Sequence, residues 1–142
     1  QLTMEPFILK LRVRHYEMDT LGHVNNAVYQ QYLEQAAIEH SEFLGFGLKR
    51  CREIGGVFVM RRLEIDYLSP AVSGDILEIK TWAEAMKGSR ATRHYEIRKQ
   101  DTLVVTAKAT WVWIDEKAMR PKPIPNEILI GFGHTPRERT IT

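Results

Sequence analysis

The segment EMDTLGHVNNAVYQQYLEQA, residues 17–36, sets a carboxylate, a glycine, a histidine and two asparagines just ahead of a helix-like run. Asp19 has two chemistries open to it. As a turn residue, its side chain would bond backbone N–H groups about two positions further on. One loop before a helix N-terminus, it would also stand beside free N–H groups and the positive end of a helix dipole. A carbonyl bound there would find a preorganised site for a developing oxyanion, and a carboxylate on its other side could attack the carbon or activate a water. His23 could titrate near neutral pH as an acid or base, or hold the turn through a loop carbonyl. Asn26 is of a preferred helix-capping type, and Asn25 reads as structural. Gly22 serves either a tight turn or a close backbone approach to a ligand.

These residues need elements to position them. In FILKLRVRH, residues 7–15, apolar and basic residues alternate as in a half-buried strand. From Asn26 to Leu44 the spacing changes to threes and fours, through Val28, Tyr29, Tyr32, Leu33, Ala36, Ala37, His40 and Phe43, which predicts an amphipathic helix ended by Gly45. Glu34 sits on it, either as a solvated glutamate or as a second candidate carboxylate. Residues 45–56 read as irregular with one short helical turn. Strands follow over 57–69, 75–87, 90–100 and 102–115, with a hairpin signal at KGS and a turn at Asp101. RPKPIP, residues 120–125, cannot continue a ladder, because each proline removes a donor. A polar tail from Arg137 is expected to fray.

The order of one strand, one helix and a meander of four long strands predicts an α+β fold: a long antiparallel sheet of about five strands wrapped around one central helix. A single domain over 1–142, with its core at about 7–125, accounts for the 142 residues. Such a sheet leaves edges, and a homodimer or homotetramer that extends it or pairs the helices is the natural remedy.

Composition narrows the function. The formal charge of +2 is too small to argue for nucleic acid. The single cysteine, Cys51, rules out an internal disulfide or cysteine-based metal site and fits a reducing cytoplasm. No apolar run is long enough to span a membrane, and no signal-peptide core is expected at the start. No P-loop, GxGxxG or metal-ligand spacing occurs, so no metal and no tightly held cofactor are expected.

The motif and the element order resemble hotdog thioesterases of the 4-hydroxybenzoyl-CoA thioesterase type. Asp19, Gly22 three residues later and Tyr29 near the helix start match that signature. HVNN, with Asp19 four residues before the histidine, is similar to plant acyl-acyl-carrier-protein thioesterases, although those carry an Asn where this chain has Leu21. YLSPAVSGDILEI and MRPKPIP extend the resemblance over roughly 7–125. It implies hydrolysis of an acyl thioester of coenzyme A or acyl-carrier protein. Asp19 would be the nucleophile or general base, the Asn26 N–H the oxyanion donor and His23 a supporting residue. Gly22, Asn25 and Tyr29 would lie about the substrate, with Tyr32, His40 and Phe43 in the core, an interface or an acyl tunnel. Lys87, Ser89 and Arg90, with Arg61 and Arg62, are candidates for the phosphates of coenzyme A or phosphopantetheine, although each singly reads as a solvated charge or turn residue. Two alternatives keep the fold: a hydratase or dehydratase using Asp19 with His23, and a non-catalytic acyl-CoA binding module.

Overall fold

The computed structural model describes residues 5–138. The chain runs through β1 (Phe7–Arg12), a 3₁₀ turn (His15–Glu17), α1 (Asn26–Phe43), α2 (Leu48–Ile54), β2 (Val57–Tyr67), β3 (Ile76–Lys87), β4 (Arg90–Lys99), β5 (Thr102–Asp115), β6 (Arg120–Pro121) and α3 (Asn126–Gly131). The five long strands form one antiparallel sheet in the order β1-β3-β4-β5-β2, and β6 adds a short pairing to β5. With α1 packed on the curled sheet, this is the hotdog fold.

β1 alternates as its sequence requires, Phe7, Leu9 and Leu11 half-buried and Ile8, Lys10 and Arg12 exposed. It stops at Arg12, short of the expected 15, because the following groups find other partners. The Val13 N–H donates to the Asp75 carbonyl at 2.9 Å, and the Arg14 N–H donates to Glu17 Oε1 at 2.7 Å.

The meander is also corrected. β2 does not lie beside β3; it pairs with β5, and β3 pairs with β1. The Leu68 and Ser69 N–H groups both donate to the Val104 carbonyl, tying the end of β2 to β5. The chain then passes under the start of α1, where the fully buried Ala71 accepts from the Val24 N–H. Bulges between Met60 and Arg62 on β2 and between Ala83 and Ala85 on β3 add local bend and twist.

Two large apolar clusters share the interior, beside a small one of Val57, Val112 and Ile114. One joins Leu33 and Ala36 of α1 to Leu77, Ile79, Tyr95, Ile97 and Val105 of the sheet. The other gathers Phe46, Cys51, Trp113, Ile124, Ile128 and Phe132. The second cluster explains two elements that differ from expectation. Residues 48–54 form a helix rather than one turn, with Cys51 buried in the same cluster as Phe46 and the partly buried Ile54. α3 follows Pro125 because Ile128 and Leu129 bury against the same cluster. RPKPIP does contribute a ladder, but only at Arg120 and Pro121. Beyond them, the Lys122 N–H still donates to the Trp113 carbonyl of β5, and the Ile124 N–H donates to the carbonyl of Gly88 in the β3–β4 turn. Arg137 is pinned rather than frayed: its N–H donates to Asn126 Oδ1 at 2.9 Å, and its guanidinium reaches the Ile124 carbonyl. The rest of that tail, from 139, lies outside the described residues.

Candidate functional site

The loop before α1 is a small closed structure. Met18 and Val24 form an antiparallel bridge, and the Asp19 N–H donates to the His23 carbonyl at 2.7 Å. The Asp19 carboxylate folds back over it, with Oδ1 accepting from the Leu21 N–H at 2.9 Å and the His23 N–H at 3.1 Å. Oδ2 has no protein donor among the described residues. Asp19 therefore performs the turn chemistry through one oxygen and leaves the other available. Gly22 has φ +77° and open space around its α-carbon, so it is a turn residue requiring the left-handed region.

His23 meets Asp19 through its backbone; no bond joins the imidazole to the carboxylate. The cap is Asn25, not Asn26: its Oδ1 accepts from the Ala27 N–H at 2.9 Å, and its backbone is extended. Asn26 is the first helical residue. Its carbonyl accepts from the Tyr67 hydroxyl at 3.3 Å, and its N–H finds no acceptor among the described residues.

Two tyrosines and a glutamate brace this end of α1. Glu17 is buried and takes the Tyr32 hydroxyl at 2.7 Å on the same oxygen that holds Arg14 N–H. Burial, then the bond to Glu17, pushes the Tyr32 hydroxyl well above the ordinary tyrosine range. Tyr29 packs against the rings of Tyr32 and Tyr67. Its hydroxyl is buried without a hydrogen-bond partner among the described residues, and burial pushes its pKa up to about 12. The Glu17–Tyr32 brace was missed from sequence, where Tyr32 reads only as an apolar-face residue.

The remaining candidates lie elsewhere. Lys87, Gly88, Ser89 and Arg90 form the β3–β4 turn, where the Ser89 carbonyl accepts from the Trp113 N–H. Lys87 and Arg90 are exposed and have no ion-pair partner among the described residues, as is Arg61, whereas Arg62 pairs with Glu64. The start of α1 sits over the row Tyr67–Val105–Ile97, held there by Tyr67. From Ile97 to Arg90 along β4 is roughly 24 Å at strand rise. One protomer therefore does not bring the basic turn to Asp19 and Asn26.

Further along α1, an apolar cavity of about 630 Å³ opens between the helix, α2 and the β2 side of the sheet. Glu34 stands on its wall, exposed, eight residues and roughly 12 Å along α1 from Asn26. Phe43 is exposed and packs on Phe7, while His40 is core. The His40 Nδ1 accepts from Arg93 Nη1 at 2.9 Å, and burial together with that cation lowers its pKa to about 4. Arg93, also buried, was not singled out from sequence. The signal was present: in RATRHYEIRK, alternation places it on the inward face with Ala91, Tyr95 and Ile97.

Comparison with known proteins bears on what this arrangement serves. The profile of the Thioesterase-like superfamily matches residues 13–132. The acyl-acyl carrier protein thioesterase ATL2 of Arabidopsis thaliana, a chloroplastic protein, is 33% identical over 132 residues, 89% of this chain and 68% of that one. The acyl-CoA thioester hydrolase YbgC of Escherichia coli O157:H7 is 28% identical over 123 residues, 86% of this chain and 92% of its own. A solved hypothetical protein from Aquifex aeolicus superposes with a TM-score of 0.83 at 28% identity, over 89% of this chain and 99% of that one. By its matched residues and its hotdog architecture, the chain belongs to the thioesterase-like superfamily.

Proposed function

We propose that this protein hydrolyses acyl thioesters of coenzyme A or acyl-carrier protein to the free acid and thiol. The observation that carries the reading is the pairing, in one loop, of an Asp19 carboxylate with one free oxygen and an unpaired Asn26 N–H at the first position of α1. The N–H group and the helix dipole would stabilise the oxyanion, and Asp19 would attack the carbonyl carbon or activate water. Membership of the superfamily, and the named activities of ATL2 and YbgC, support the thioester as substrate. A hydratase reading needs an acid–base pair, and the His23 imidazole makes no bond to Asp19. A pure binding module has no use for a carboxylate beside a bound carbonyl.

The substrate's phosphates fall to Lys87, Ser89 and Arg90 of a second copy, whose turn could approach the start of α1 more closely than the roughly 24 Å that separates the two within one protomer. β2 is an eleven-residue edge strand, which a second chain could extend. A homodimer of this kind would complete each site from two chains. Mixing inactive Asp19→Ala chains with weak-binding Lys87→Ala/Arg90→Ala chains should restore turnover in the hybrid, and an additive mixture without rescue would refute the shared site.

Thiol release from a panel of acyl-CoA and acyl-carrier thioesters tests the reaction itself. Hydrolysis predicts stoichiometric thiol and acid. Saturable binding without thiol would support the binding module, and hydration of an enoyl thioester without thiol would support the hydratase.

A further inference from the structure

Arg93 is a buried cation without a counterion among the described residues. It is 6% exposed, and its two recorded hydrogen bonds come from one nitrogen, Nη1, to His40 Nδ1 at 2.9 Å and Thr81 Oγ1 at 3.1 Å. Both acceptors are neutral, since Thr81 is an un-ionised hydroxyl that donates its own hydrogen bond to the His94 carbonyl and His40 must present an unprotonated nitrogen. A guanidinium has five N–H groups, so those on Nε and Nη2 have no protein acceptor among the described residues. The Phe132 ring, 5.9 Å from the guanidinium carbon, touches the cation but accepts no charge-assisted bond from it.

Arg93 borders the apolar cavity beside α1, whose other walls include Phe46, Phe58, Met60, Trp111 and Phe132. Glu34 and Glu42 also border it, but they are exposed, and neither is within ion-pairing distance of Arg93. Along α1, the start of the helix and the level of His40 are roughly 21 Å apart at 1.5 Å per residue. An apolar cavity whose α1 wall runs from Glu34 to Glu42 and whose single cation is unneutralised fits the far part of a long chain that ends in an anion. A methyl terminus would leave the guanidinium desolvated and unpaired, whereas a carboxylate would take a bidentate, charge-assisted pair.

Taking the hydrolytic reading above as given, we propose that this cavity is the acyl-tail subsite and that Arg93 receives a carboxylate at the far end of the acyl chain. The favoured substrates are then half-thioesters of long dicarboxylic acids.

Binding can be measured without turnover, by quenching of the tryptophan fluorescence to which Trp111 in the cavity wall contributes. The probes are hexadecanedioic acid monomethyl ester and methyl hexadecanoate. The acid half-ester should bind at least tenfold tighter to the wild type, and Arg93→Met should erase that preference while still binding both. Met60→Trp, which narrows the cavity from its β2 wall, should weaken both probes. Equal wild-type affinities, or a preference that survives Arg93→Met, would overturn the proposal; the wild-type comparison decides alone if that variant does not fold. Thiol release from the coenzyme A thioesters of hexadecanoic acid and of the dicarboxylic half-acid then separates the two readings. Release from both at equal kcat/KM sinks the subsite and keeps the hydrolysis. A binding preference with no release from either sinks the hydrolysis and keeps the subsite.

Discussion

At the start of α1 the polar groups lie near solvent and are held by backbone. Asp19 is fixed by two N–H groups, Asn25 by one, and the Asn26 N–H is left over. At the other end of the same helix, His40 and Arg93 are buried at 2% and 6% exposure and rely on each other. The first arrangement costs little to build, because loop and cap residues satisfy each other in water's presence. The second carries a buried charge that no carboxylate among the described residues neutralises. An end that is cheap to fold can be tuned for chemistry, while an end that is costly to fold needs a reason beyond stability.

Interventions at the two ends should separate along the same line. After Asp19 itself, the largest effect is expected from Asn26→Pro. Proline is well tolerated at the first helical position, and the Asn25 backbone, at φ −62° and ψ 135°, already suits a following proline. The substitution removes the unpaired N–H together with a side chain that makes no hydrogen bond among the described residues. It should lower kcat by about 10²–10³-fold, the loss typical of one oxyanion donor, with circular dichroism and thermal midpoint nearly unchanged. Full turnover in a folded Asn26→Pro protein would place the oxyanion elsewhere.

Next is the brace. Tyr32→Phe leaves the buried Glu17 carboxylate with one donor fewer, which should cost about 1–3 kcal/mol in urea unfolding. Its kcat should fall less than its stability, because the brace positions the loop rather than touching substrate.

The His40 end should show itself through pH. The folded pKa of about 4 lies below the unfolded value of 6.5. The unfolded chain therefore binds the proton first as pH falls. The stability contributed by neutral His40 is whole above pH 6.5 and is lost progressively down to about pH 4, by up to roughly 3 kcal/mol. Urea midpoints measured at pH 4, 5.5 and 7 should fall less steeply in His40→Gln than in the wild type. An identical slope in both would remove His40 from the account.

The smallest effect is expected at His23. Its contribution to the loop is through backbone atoms, so His23→Ala should change kcat by less than about tenfold, below the 10²–10⁴ typical of a general acid or base.

Much of this was legible in the chain itself. Threefold and fourfold apolar spacing placed α1 within one residue of Asn26–Phe43, and alternation with glycine and proline punctuation located every long strand. Strand order was not legible, because alternation states which face is buried and nothing about which strand lies alongside; the Val104 carbonyl and buried Ala71 decide that only in three dimensions. α2 and α3 were too short for a periodic signal and exist through contacts with Phe46, Trp113 and Phe132. In the site, Asp19 and the helix start stood out by type and spacing. The choice of Asn25 over Asn26 as the cap did not, since both residues suit the role. Lys87, Ser89 and Arg90 could be picked as basic turn residues, but their distance from Asp19 depends on sheet geometry. Arg93 was passed over as one more charge on a strand, although its parity on β4 marks it as inward.

The central claim is that Asp19 performs the chemistry at the start of α1, and Asp19→Asn tests it most directly. The amide keeps an oxygen to accept from Leu21 and His23, so the loop should persist. Single-turnover thiol release from a good acyl-CoA substrate should slow by about 10²–10⁴-fold, with substrate affinity held within a few-fold. Thiol release within tenfold of the wild type would contradict the account and return Asp19 to the turn.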